Sequence, residues 1–438
     1  MMRISVIGCG YLGAVHAASM AKLGHDVVGI DVNPRIIGNL NAGRPHFYEP
    51  GLPELLTESQ ATGRLKFSTD ISDVTGCRVH FVCVGTPQRR GENAADLRYV
   101  NEAFHSLFGH VGPSEILVGK STVPVGTASR IAEELALQVP GAVIAWNPEF
   151  LREGHAVADT LTPDRFVYGV PAGDAGRLAV STLDEVYAAA LEAGTRRLVT
   201  DYATAELVKS AANSFLATKI SFINAMAEVC EATGADVTEL AEAMGMDDRI
   251  GRKFLNAGLG FGGGCLPKDI RAFMARAGEL GADQALTFLR EVDAINMRRR
   301  SRVVEMTGEV CGGSLIGRRI TVLGSAFKPD SDDVRDSPAL NVAAQLQLLG
   351  ADVTVTDPQA LPNSAVRFPE LNYEPDMDEA LNNAQVVLLL TEWRQYCELD
   401  PYAVAARVSE TNLVDARNVF DPAKWRAAGW TYRSVGRP

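Results

Sequence analysis

A glycine pattern near the start of the chain, GCGYLG, constrains the fold more than any other feature of the sequence. It begins at Gly8, directly after the apolar run RISVI, and leads into a segment of helical period and then into DVVGID, which ends at Asp31. This order of strand, glycine turn, helix and strand is one βαβ unit. Such units build parallel sheets that are covered by helices on both faces. The chain is therefore predicted to contain a doubly wound α/β domain.

The spacing of these glycines also predicts a ligand. Gly8, Gly10 and Gly13 match the GxGxxG pattern of dinucleotide-binding turns, which lets a pyrophosphate approach the N-terminus of the following helix. Asp31 stands where an acidic side chain accepts a hydrogen bond from the ribose 2′-hydroxyl, and a carboxylate there repels a 2′-phosphate. We therefore expect NAD rather than NADP, and Arg35 is the nearby residue that could instead pair with a 2′-phosphate.

A less regular copy of this outline occurs in the last third of the chain. RRITVLGS and ADVTVTDP again place a glycine after one strand and an aspartate after the next, so that Gly324 and Asp357 correspond to Gly8 and Asp31. The apolar runs VHFVCVGTP and VVLLLTEW are interpreted as a further matching pair of buried parallel strands. The chain is therefore expected to carry two Rossmann-like domains, the second with a degraded glycine pattern.

The segment between the two halves is predicted to be helical. It shows helical patterns without a convincing strand, and the stretch from Ala203 to Ala232 contains neither glycine nor proline, which favours one long helix. The predicted architecture is α/β, with two Rossmann-like doubly wound domains joined by a central helical domain. The expected ranges are 1–200 for the NAD-binding domain, 201–305 for the central dimerisation domain, and 306–438 for the C-terminal nucleotide-sugar-binding domain.

Composition and charge narrow the class of protein. A formal net charge of −12 argues against non-specific binding of nucleic acid, which requires a basic surface. No apolar run reaches membrane-spanning length and no basic leader precedes the first strand, so a cytoplasmic protein without a membrane segment is expected. The seven cysteines lack metal-binding spacing, so no metal site is predicted. Six of them are interpreted as buried small hydrophobic residues.

The seventh cysteine, Cys265, follows a run of glycines in GLGFGGGCLPKD, with Asp269 four residues later. Such a loop lets backbone N–H groups approach a reacting centre and form an oxyanion site. Lys209 and Asn213 are four residues apart on the predicted long helix, so their side chains share one face. All seven histidines lie at or before His155, so Lys209 is the expected activating cation for a cysteine nucleophile.

A further pair of carboxylates follows the apolar run AVIAW. Glu149 and Glu153 belong to NPEFLREG, directly after this predicted strand. The carboxyl end of a strand is the usual place for chemistry in an open α/β sheet. Both side chains are therefore candidates for the reaction site, although helix-start charges favoured by the helix dipole would show the same pattern.

Taken together, the motifs resemble the UDP-glucose/GDP-mannose dehydrogenase family from end to end. In chain order they are GCGYLG, VGTP, KSTVPVGT, NPEFLREG, AELVKSAAN, DDRIG, GFGGGCLPKD, FKPDSDDVRDSPAL and DARN. The resemblance implies a four-electron oxidation of a nucleotide sugar at C6 to the uronic acid, with two NAD molecules acting in turn and a thiohemiacetal and thioester on Cys265. UDP-glucose is the favoured substrate, because RIG precedes the cysteine loop at the expected distance. The alternatives are dTDP-glucose, a UDP-N-acetylhexosamine and GDP-mannose.

The resemblance also implies site residues, which fall into three groups. The catalytic group is Cys265, Lys209, Asn213, Asp269, Glu149 and Thr122. The cofactor-binding group is Gly8, Gly10, Tyr11, Leu12, Gly13, Asp31, Arg35, Thr86, Thr122, Glu153 and Arg335. The substrate-binding group is Glu149, Phe150, Leu151, Arg152, Lys209, Asn213, Arg249, Phe254, Gly262, Phe327, Lys328 and Arg417.

Within these groups the resemblance assigns distinct roles. Cys265 is the nucleophile, Lys209 and Asn213 stabilise oxyanions, and Asp269 orients a base or water. Thr122 and Glu149 match residues that hold the catalytic water. Arg249 is expected to reach the substrate of a neighbouring subunit, which implies a homodimer or a higher homo-oligomer.

Two other classes of protein share part of this pattern. A two-electron hydroxyacid dehydrogenase also pairs an N-terminal Rossmann domain with a Lys-x-x-x-Asn helix, but it needs neither Cys265 nor a second Rossmann-like domain. A catalytically silent nucleotide-sugar-binding protein would keep the glycines and lose the reactive groups, whereas every matched catalytic position is filled here. The sequence departs from the family pattern at Gly264, Leu266 and Asn256, in or near the loop expected to touch the substrate.

Overall fold

The computed structural model describes residues 1–438, and the chain divides into two compact units. The first unit comprises residues 1–212 and 271–281. The second comprises residues 213–270 and 282–438. Each unit contains one β-sheet.

The first unit is built on eight strands and their connecting helices. The strands are β1 (Arg3–Ile7), β2 (Asp26–Ile30), β3 (Leu65–Ser68), β4 (Val79–Val82), β5 (Ile116–Gly119), β6 (Val143–Trp146), β7 (Arg165–Gly169) and β8 (Arg196–Thr200). The helices are α1 (Tyr11–Lys22), α2 (Pro34–Asn41), α3 (Leu52–Ala61), α4 (Arg98–Phe108), α5 (Thr127–Gln138), α6 (Ala156–Leu161), α7 (Asp174–Val186) and α8 (Ala188–Glu192), with a 3₁₀ turn at Ile71–Val74.

The strand order of this sheet is β3-β2-β1-β4-β5-β6-β7-β8. All neighbouring strands are parallel except β6 and β7, which pair antiparallel. The chain reverses direction across the sheet between β1 and β4, so the loops after these two strands lie side by side at the carboxyl edge. In open α/β sheets this switch point is where ligands bind.

The central strands of the first unit are apolar on both faces. Ile4 and Val6 of β1 belong to one buried cluster with helix α1, while Ile7 belongs to a second cluster on the opposite face. Successive side chains of a strand point to opposite faces, so a strand covered on both sides is buried, and mostly apolar, at every position. This explains why all four residues of the run VHFV in β4 are buried, with no alternation between buried and exposed positions.

The second unit contains a six-stranded parallel sheet of order β11-β10-β9-β12-β13-β14, which repeats the order of the first six strands of the other sheet. Its strands are β9 (Arg319–Leu323), β10 (Asp352–Thr356), β11 (Asn372–Tyr373), β12 (Val386–Leu389), β13 (Asn412–Asp415) and β14 (Thr431–Ser434). Its helices are α13 (Pro338–Leu348), α14 (Leu361–Arg367), α15 (Met377–Leu381), α16 (Arg394–Cys397), α17 (Pro401–Ala405) and α18 (Pro422–Ala427).

The segment that connects the two sheets is helical. It contains α9 (Tyr202–Thr233), α10 (Val237–Gly245), α11 (Leu266–Glu279) and α12 (Phe288–Val310), with a 3₁₀ turn at Asp283–Leu286. Helix α9 has 32 residues, which confirms the predicted long helix. The absence of glycine and proline from its interior allows an uninterrupted hydrogen-bond ladder.

The correspondence between Gly8 and Gly324 is structural as well as sequential. Both have positive φ, of +87° and +99°. The Gly8 N–H donates to the last carbonyl of β2, and the Gly324 N–H donates to the last carbonyl of β10, each at 2.8 Å. A side chain at Gly324 would overlap Thr391, just as one at Gly8 would press on Val84. Each glycine therefore permits the same close approach between the first strand's loop and the loop of the neighbouring strand.

These observations confirm the predicted fold class, with two Rossmann-like sheets and a helical segment with a long helix between them. One prediction was wrong, namely that six of the seven cysteines are buried. Five cysteines are buried and Cys265 is exposed, but Cys397 is only half-buried, because it ends the short helix α16. No helix of the chain is both long enough and apolar enough to cross a membrane.

Candidate functional site

The glycine turn after β1 forms an uncapped helix N-terminus. Gly10 is the N-cap of α1, no side chain caps it, and the first turn carries no acidic residue. A Cβ at Gly10 would meet no atom within 4 Å, whereas one at Gly13 would overlap the Gly8 carbonyl oxygen. The turn thus presents free N–H groups and the positive end of the helix dipole to an anion, while Gly13 allows tight packing. These features fit a dinucleotide pyrophosphate.

Asp31 lies beside this turn at the end of β2. Its Oδ2 accepts from the Cys9 N–H at 2.9 Å and its Oδ1 accepts from the Asn33 N–H at 2.9 Å. A carboxylate oxygen can accept more than one hydrogen bond, so both oxygens retain capacity for hydroxyl donors. The corresponding Asp357 is buried, and its carboxylate accepts from the backbone N–H groups of its own loops and from the indole N–H of Trp393. Asp31 is therefore the more accessible of the two.

Five other predicted cofactor residues lie near the same edge. The Tyr11 hydroxyl donates to the Glu49 carboxylate, and Leu12 packs against the core behind α1. The side chain of Arg35 is exposed at the start of α2. The Thr86 hydroxyl donates to the Thr122 carbonyl at 2.9 Å, which joins the loops after β4 and β5.

Glu149 lies directly beyond β6 and is held at both oxygens. Its Oε1 accepts from the N–H groups of Phe150 and Leu151 at 2.7 and 2.9 Å, and its Oε2 lies 3.1 Å from the ammonium of Lys120. Burial raises the pKa of this carboxyl, but the Lys120 charge and the hydrogen bonds outweigh burial and leave it below its ordinary value. Glu153, four residues later, is buried.

The aromatic ring of Phe150 brings two cations together. The Arg165 guanidinium lies 3.9 Å from its centroid and the Lys209 ammonium 5.4 Å. The ring face attracts both cations. Arg152 is turned to a different partner, because its guanidinium forms a bidentate pair with Asp159 at 2.9 and 2.7 Å.

Cys265 is exposed and directly precedes helix α11. The helix begins there because the Asp269 N–H donates to the Cys265 carbonyl at 2.9 Å. A thiolate at the start of a helix is favoured by the helix dipole and by the unpaired N–H groups of the first turn. This is the environment of a nucleophilic cysteine, and it differs from that of the five buried cysteines.

A buried polar cluster lies one helical turn after Cys265. The Asp269 carboxylate accepts from the Asn213 amide at 2.6 Å and from the Lys268 ammonium at 2.6 Å. Asp269 and Asn213 are 3% and 7% exposed, so this bond fixes the α11 start against α9. The structure therefore brings two predicted catalytic residues, Asn213 and Asp269, into direct contact.

The glycines before Cys265 are required by close packing. A Cβ at Gly262 would overlap the Asp336 carbonyl, one at Gly263 would lie 2.8 Å from the Phe327 ring, and one at Gly264 would overlap the Arg335 guanidinium. The departure from the family pattern at Gly264 thus has a local reason in this chain, since Arg335 occupies the space of the side chain. The Arg335 guanidinium is itself held by Asp333.

Arg417 joins this loop to the second sheet. Its guanidinium donates to the Leu390 carbonyl at 2.7 Å, lies 3.0 Å from Glu392, and donates to the Phe327 carbonyl at 3.3 Å. The Lys328 ammonium lies 5.5 Å from the Phe327 ring centroid. Four predicted residues, namely Gly262, Phe327, Lys328 and Arg417, therefore lie near or next to one another in the second unit.

The contacts of two predicted substrate residues connect them neither with the residues around Phe150 nor with those around Arg417. Arg249 is 89% exposed at its side chain and pairs with the neighbouring Asp247. Phe254 is exposed and has a φ of +66°, a conformation rare for a bulky residue. Such strain is retained mainly where a local role requires it.

Several residues next to the predicted ones escaped the sequence analysis. Lys120 and Glu49 could have been noticed, because each is a charged residue beside an apolar or glycine-containing motif. Asn296 could not, since its position within α12 carries no local signal. Its side-chain amide accepts from the Phe261 N–H at 2.7 Å and donates to the Phe261 carbonyl at 3.0 Å, so it holds the glycine loop at both backbone groups.

Comparison with known proteins agrees with this arrangement along the whole chain. The UDP-glucose/GDP-mannose dehydrogenase family models match as an NAD binding domain over residues 2–191, a central domain over 203–298, and a UDP binding domain over 321–422. An NAD-binding domain and a UDP-binding domain are thus present at the two sheets.

Individual relatives show the same likeness. A UDP-glucose 6-dehydrogenase of Rhizobium meliloti (strain 1021) is 39% identical over 440 residues, which cover 100% of both chains. The solved structure of a UDP-glucose dehydrogenase from Pyrobaculum islandicum is 40% identical, with a TM-score of 0.90 over 100% of this chain and 98% of that one. A UDP-D-ManNAc dehydrogenase from Pyrococcus horikoshii is 26% identical, with a TM-score of 0.86 over 100% and 99% of the two chains. The chain therefore belongs to the UDP-glucose/GDP-mannose dehydrogenase family.

Proposed function

We propose that this chain is an NAD-dependent UDP-glucose 6-dehydrogenase, which oxidises the C6 alcohol of UDP-glucose to the carboxylate of UDP-glucuronate. The observation that carries the proposal is the position of Cys265, exposed after a glycine loop at the start of α11 and one turn from the Asn213–Asp269 pair. A two-electron hydroxyacid dehydrogenase has no use for a cysteine in this environment. Relatives with this function match the chain over its full length.

The reaction requires two oxidations at one carbon. NAD, held at the turn of Gly8, Gly10 and Gly13, would supply the hydride acceptor for both oxidations. The first oxidation converts the C6 alcohol to an aldehyde with release of the hydroxyl proton. The Cys265 thiolate then adds to the aldehyde carbon, and the resulting thiohemiacetal is oxidised to a thioester. Water adds to the thioester carbon, the C–S bond breaks, and the acid is released with Cys265 again a thiolate. One sugar thus yields two NADH.

The residues of this chain supply charge and hydrogen bonds to those steps. We assign Lys209 and Asn213 to the oxyanions formed at C6, because an ammonium and an amide are suitable donors to a developing negative charge. Asp269 orients Asn213 and Lys268 through its two oxygens. Thr122 and Glu149 are assigned to the water that cleaves the thioester.

Cofactor and substrate are assigned to the two sheets. We place the NAD pyrophosphate at Gly10 and Gly13, the adenosine ribose at Asp31, and further contacts at Glu153 and Arg335. The nucleotide of the substrate is assigned to the group around Phe327 and Arg417, and the sugar and phosphates to the Phe150–Arg152 segment.

The predicted ranges 1–200, 201–305 and 306–438 remain our domain assignment. None of the seven cysteines forms a disulfide, which is in keeping with the reducing conditions of the cytoplasm.

We also propose a homodimer or higher homo-oligomer that uses the long helix. Phe215, Phe222 and Val229 of α9 are 66%, 45% and 52% exposed, and their seven-residue spacing places them along one face. An exposed apolar row of this kind is typical of helix–helix contact. In that assembly Arg249 is assigned to the substrate of the neighbouring subunit.

Counting NADH released per sugar consumed tests the activity directly. We expect two NADH per UDP-glucose and the uronic acid as product, measured by absorbance and mass spectrometry. A panel with dTDP-glucose, a UDP-N-acetylhexosamine and GDP-mannose at equal concentration tests the substrate. One NADH per sugar would contradict the four-electron reaction, and a higher kcat/KM for another sugar nucleotide would replace UDP-glucose as substrate.

A further inference from the structure

A buried lysine in the first unit makes a complete set of polar contacts. Lys120 follows β5 and is 4% exposed. Its ammonium lies 3.0 Å from Asn147 Oδ1, 3.1 Å from Glu149 Oε2 and 3.4 Å from the Tyr187 hydroxyl oxygen. An ammonium has three N–H donors, so each has one acceptor. Burial of a charge is costly unless it is paired and hydrogen-bonded, and this lysine meets both conditions.

The partners of Lys120 are themselves held in place. Asn147 Oδ1 also accepts from the Tyr187 hydroxyl at 2.8 Å, while its amide donates to the Val167 carbonyl at 3.0 Å. The rings of Phe81 and Tyr187 lie 5.9 and 5.8 Å from the ammonium, which suits a cation next to aromatic faces. The ammonium therefore has a fixed position on the strand edge, set by groups from four segments of the chain.

The groups that contact the Glu149 carboxylate are hydrogen-bond donors or carry a positive charge. Backbone N–H groups of Phe150 and Leu151 point to Oε1, and Lys120 faces Oε2. A carboxyl group surrounded in this way is an acceptor with a defined orientation. The Glu149 side chain is 18% exposed, so it is not sealed off from its surroundings.

The other titratable groups around the pair are neutral near pH 7. Burial raises the pKa of the Cys83 thiol to about 12 and raises that of the Tyr187 hydroxyl well above its usual range. Burial also lowers the pKa of His16 on α1, with Lys120 acting in the same direction. Lys120 is thus the cation, and Glu149 the anion, of this cluster.

We propose that Lys120 is a positioning residue, which keeps Glu149 ionised and oriented as a hydrogen-bond acceptor for the water that cleaves the thioester. The inference rests on the proposed function, which assigns Glu149 to that water. Lys120 acts through Glu149 and touches neither substrate nor cofactor in this role. This role explains why a charged lysine is buried next to a carboxylate at a position where a pair of apolar side chains would pack as well.

The variant Lys120→Met tests the proposal, because it keeps the length of the side chain and removes the charge. Without the ammonium, the buried Glu149 should ionise only at higher pH. We expect the acidic limb of the kcat profile to move up by about two pH units. Mass spectrometry should show the thioester on Cys265 accumulating at low pH and disappearing at high pH. If the acidic limb of the variant coincides with that of the wild type, Lys120 has only a structural role and the proposal fails.

Tyr168→Phe is the matched control. The Tyr168 ring lies 6.3 Å from that of Tyr187, but its buried hydroxyl has no hydrogen-bond partner, so this variant should leave the acidic limb unchanged. A shift of the limb in this control would mean that general disturbance of the aromatic cluster, and not loss of the charge, causes the effect.

A double variant keeps the test valid if Lys120→Met does not fold. Loss of one partner leaves a buried unpaired charge, whereas Lys120→Met with Glu149→Gln removes both charges. We expect the double variant to fold and to have a higher free energy of unfolding than Lys120→Met alone, measured by urea denaturation. A double variant no more stable than Lys120→Met alone would overturn the proposal. The NADH count with wild-type protein tests the proposed function separately, so failure of one conclusion can be told from failure of the other.

Discussion

At the scale of single residues, the thiol of Cys265 is the group on which the proposed chemistry depends. Cys265→Ala cannot form a covalent adduct, so we expect oxidation to stop at the aldehyde, with about one NADH per sugar and a loss in overall rate of at least about a thousandfold. Cys265→Ser should form an ester that water cleaves slowly, because an alkoxide is a poorer leaving group than a thiolate. Mass spectrometry of both variants with UDP-glucose and NAD distinguishes these products. Two NADH per sugar at a rate close to that of the wild type in either variant would exclude covalent catalysis at this residue.

The second residue with a specific expected effect is Asp31. Its carboxylate lies beside the glycine turn, so the 2′-phosphate of NADP would meet a negative charge there. We expect kcat/KM for NAD to exceed that for NADP by at least about a hundredfold, and Asp31→Asn to reduce this ratio by about tenfold. Arg35→Ala is the control, since loss of this cation should weaken only NADP. Equal use of both cofactors by the wild type would show that Arg35 governs the pocket.

At the scale of elements, the first turn of α5 depends on a carboxylate from α9. Glu206 accepts from the N–H groups of Gly126 and Ala128 at 2.7 Å each and is 1% exposed. Burial raises the pKa of Glu206 to about 7, against the lowering effect of these hydrogen bonds. Because the folded-state pKa lies above that of the unfolded chain, the contribution of Glu206 to stability is full below about pH 4.5 and is lost as the pH rises through 7.

The variant Glu206→Gln isolates this contribution. We expect its free energy of unfolding, relative to that of the wild type, to increase by up to about 3 kcal/mol between pH 5 and pH 8. Urea denaturation of both proteins at several pH values measures the difference. A difference that stays constant with pH, or changes in the opposite direction, would show that Glu206 is ionised in the folded chain throughout this range.

The glycine loop before Cys265 depends in the same way on helix α12. Asn296 bonds both backbone groups of Phe261, so Asn296→Ala leaves the buried Phe261 N–H without an acceptor and the carbonyl with only the longer bond from Arg300 at 3.5 Å. We expect a loss of about 2–4 kcal/mol in the free energy of unfolding and a lower kcat. Asn296→Asp keeps the acceptor for the Phe261 N–H but sets its second oxygen against the Phe261 carbonyl, so it should lose less stability than Asn296→Ala only at low pH, where the protonated carboxyl can donate. An Asn296→Ala protein as stable as the wild type would show that the loop holds its shape without this helix.

At the scale of the whole molecule, the apolar row on α9 predicts how subunits associate. A charge at Phe222 would be buried and unpaired in the proposed interface, so Phe222→Glu should shift the protein toward monomers in sedimentation velocity. Leu348→Glu is the control, because Leu348 is 86% exposed at the end of α13 and lies outside this row. Active monomers of the wild type would contradict both the proposed assembly and the role of Arg249.

The architecture could be predicted from the amino-acid sequence, because the signals for it are local. Gly8, the apolar run of β1 and the glycine-free stretch of α9 each specify backbone conformation over a few neighbouring residues. Motif order also identified the family and pointed to Cys265. Which side chains meet could not be predicted in this way and follows from the folded chain, since Asn213 and Asp269 are separated by 56 residues and are joined by one hydrogen bond. The same holds for Lys120 and Glu149, whose charge pairing depends on the adjacency of β5 and β6 and on burial, and neither property can be read from local spacing.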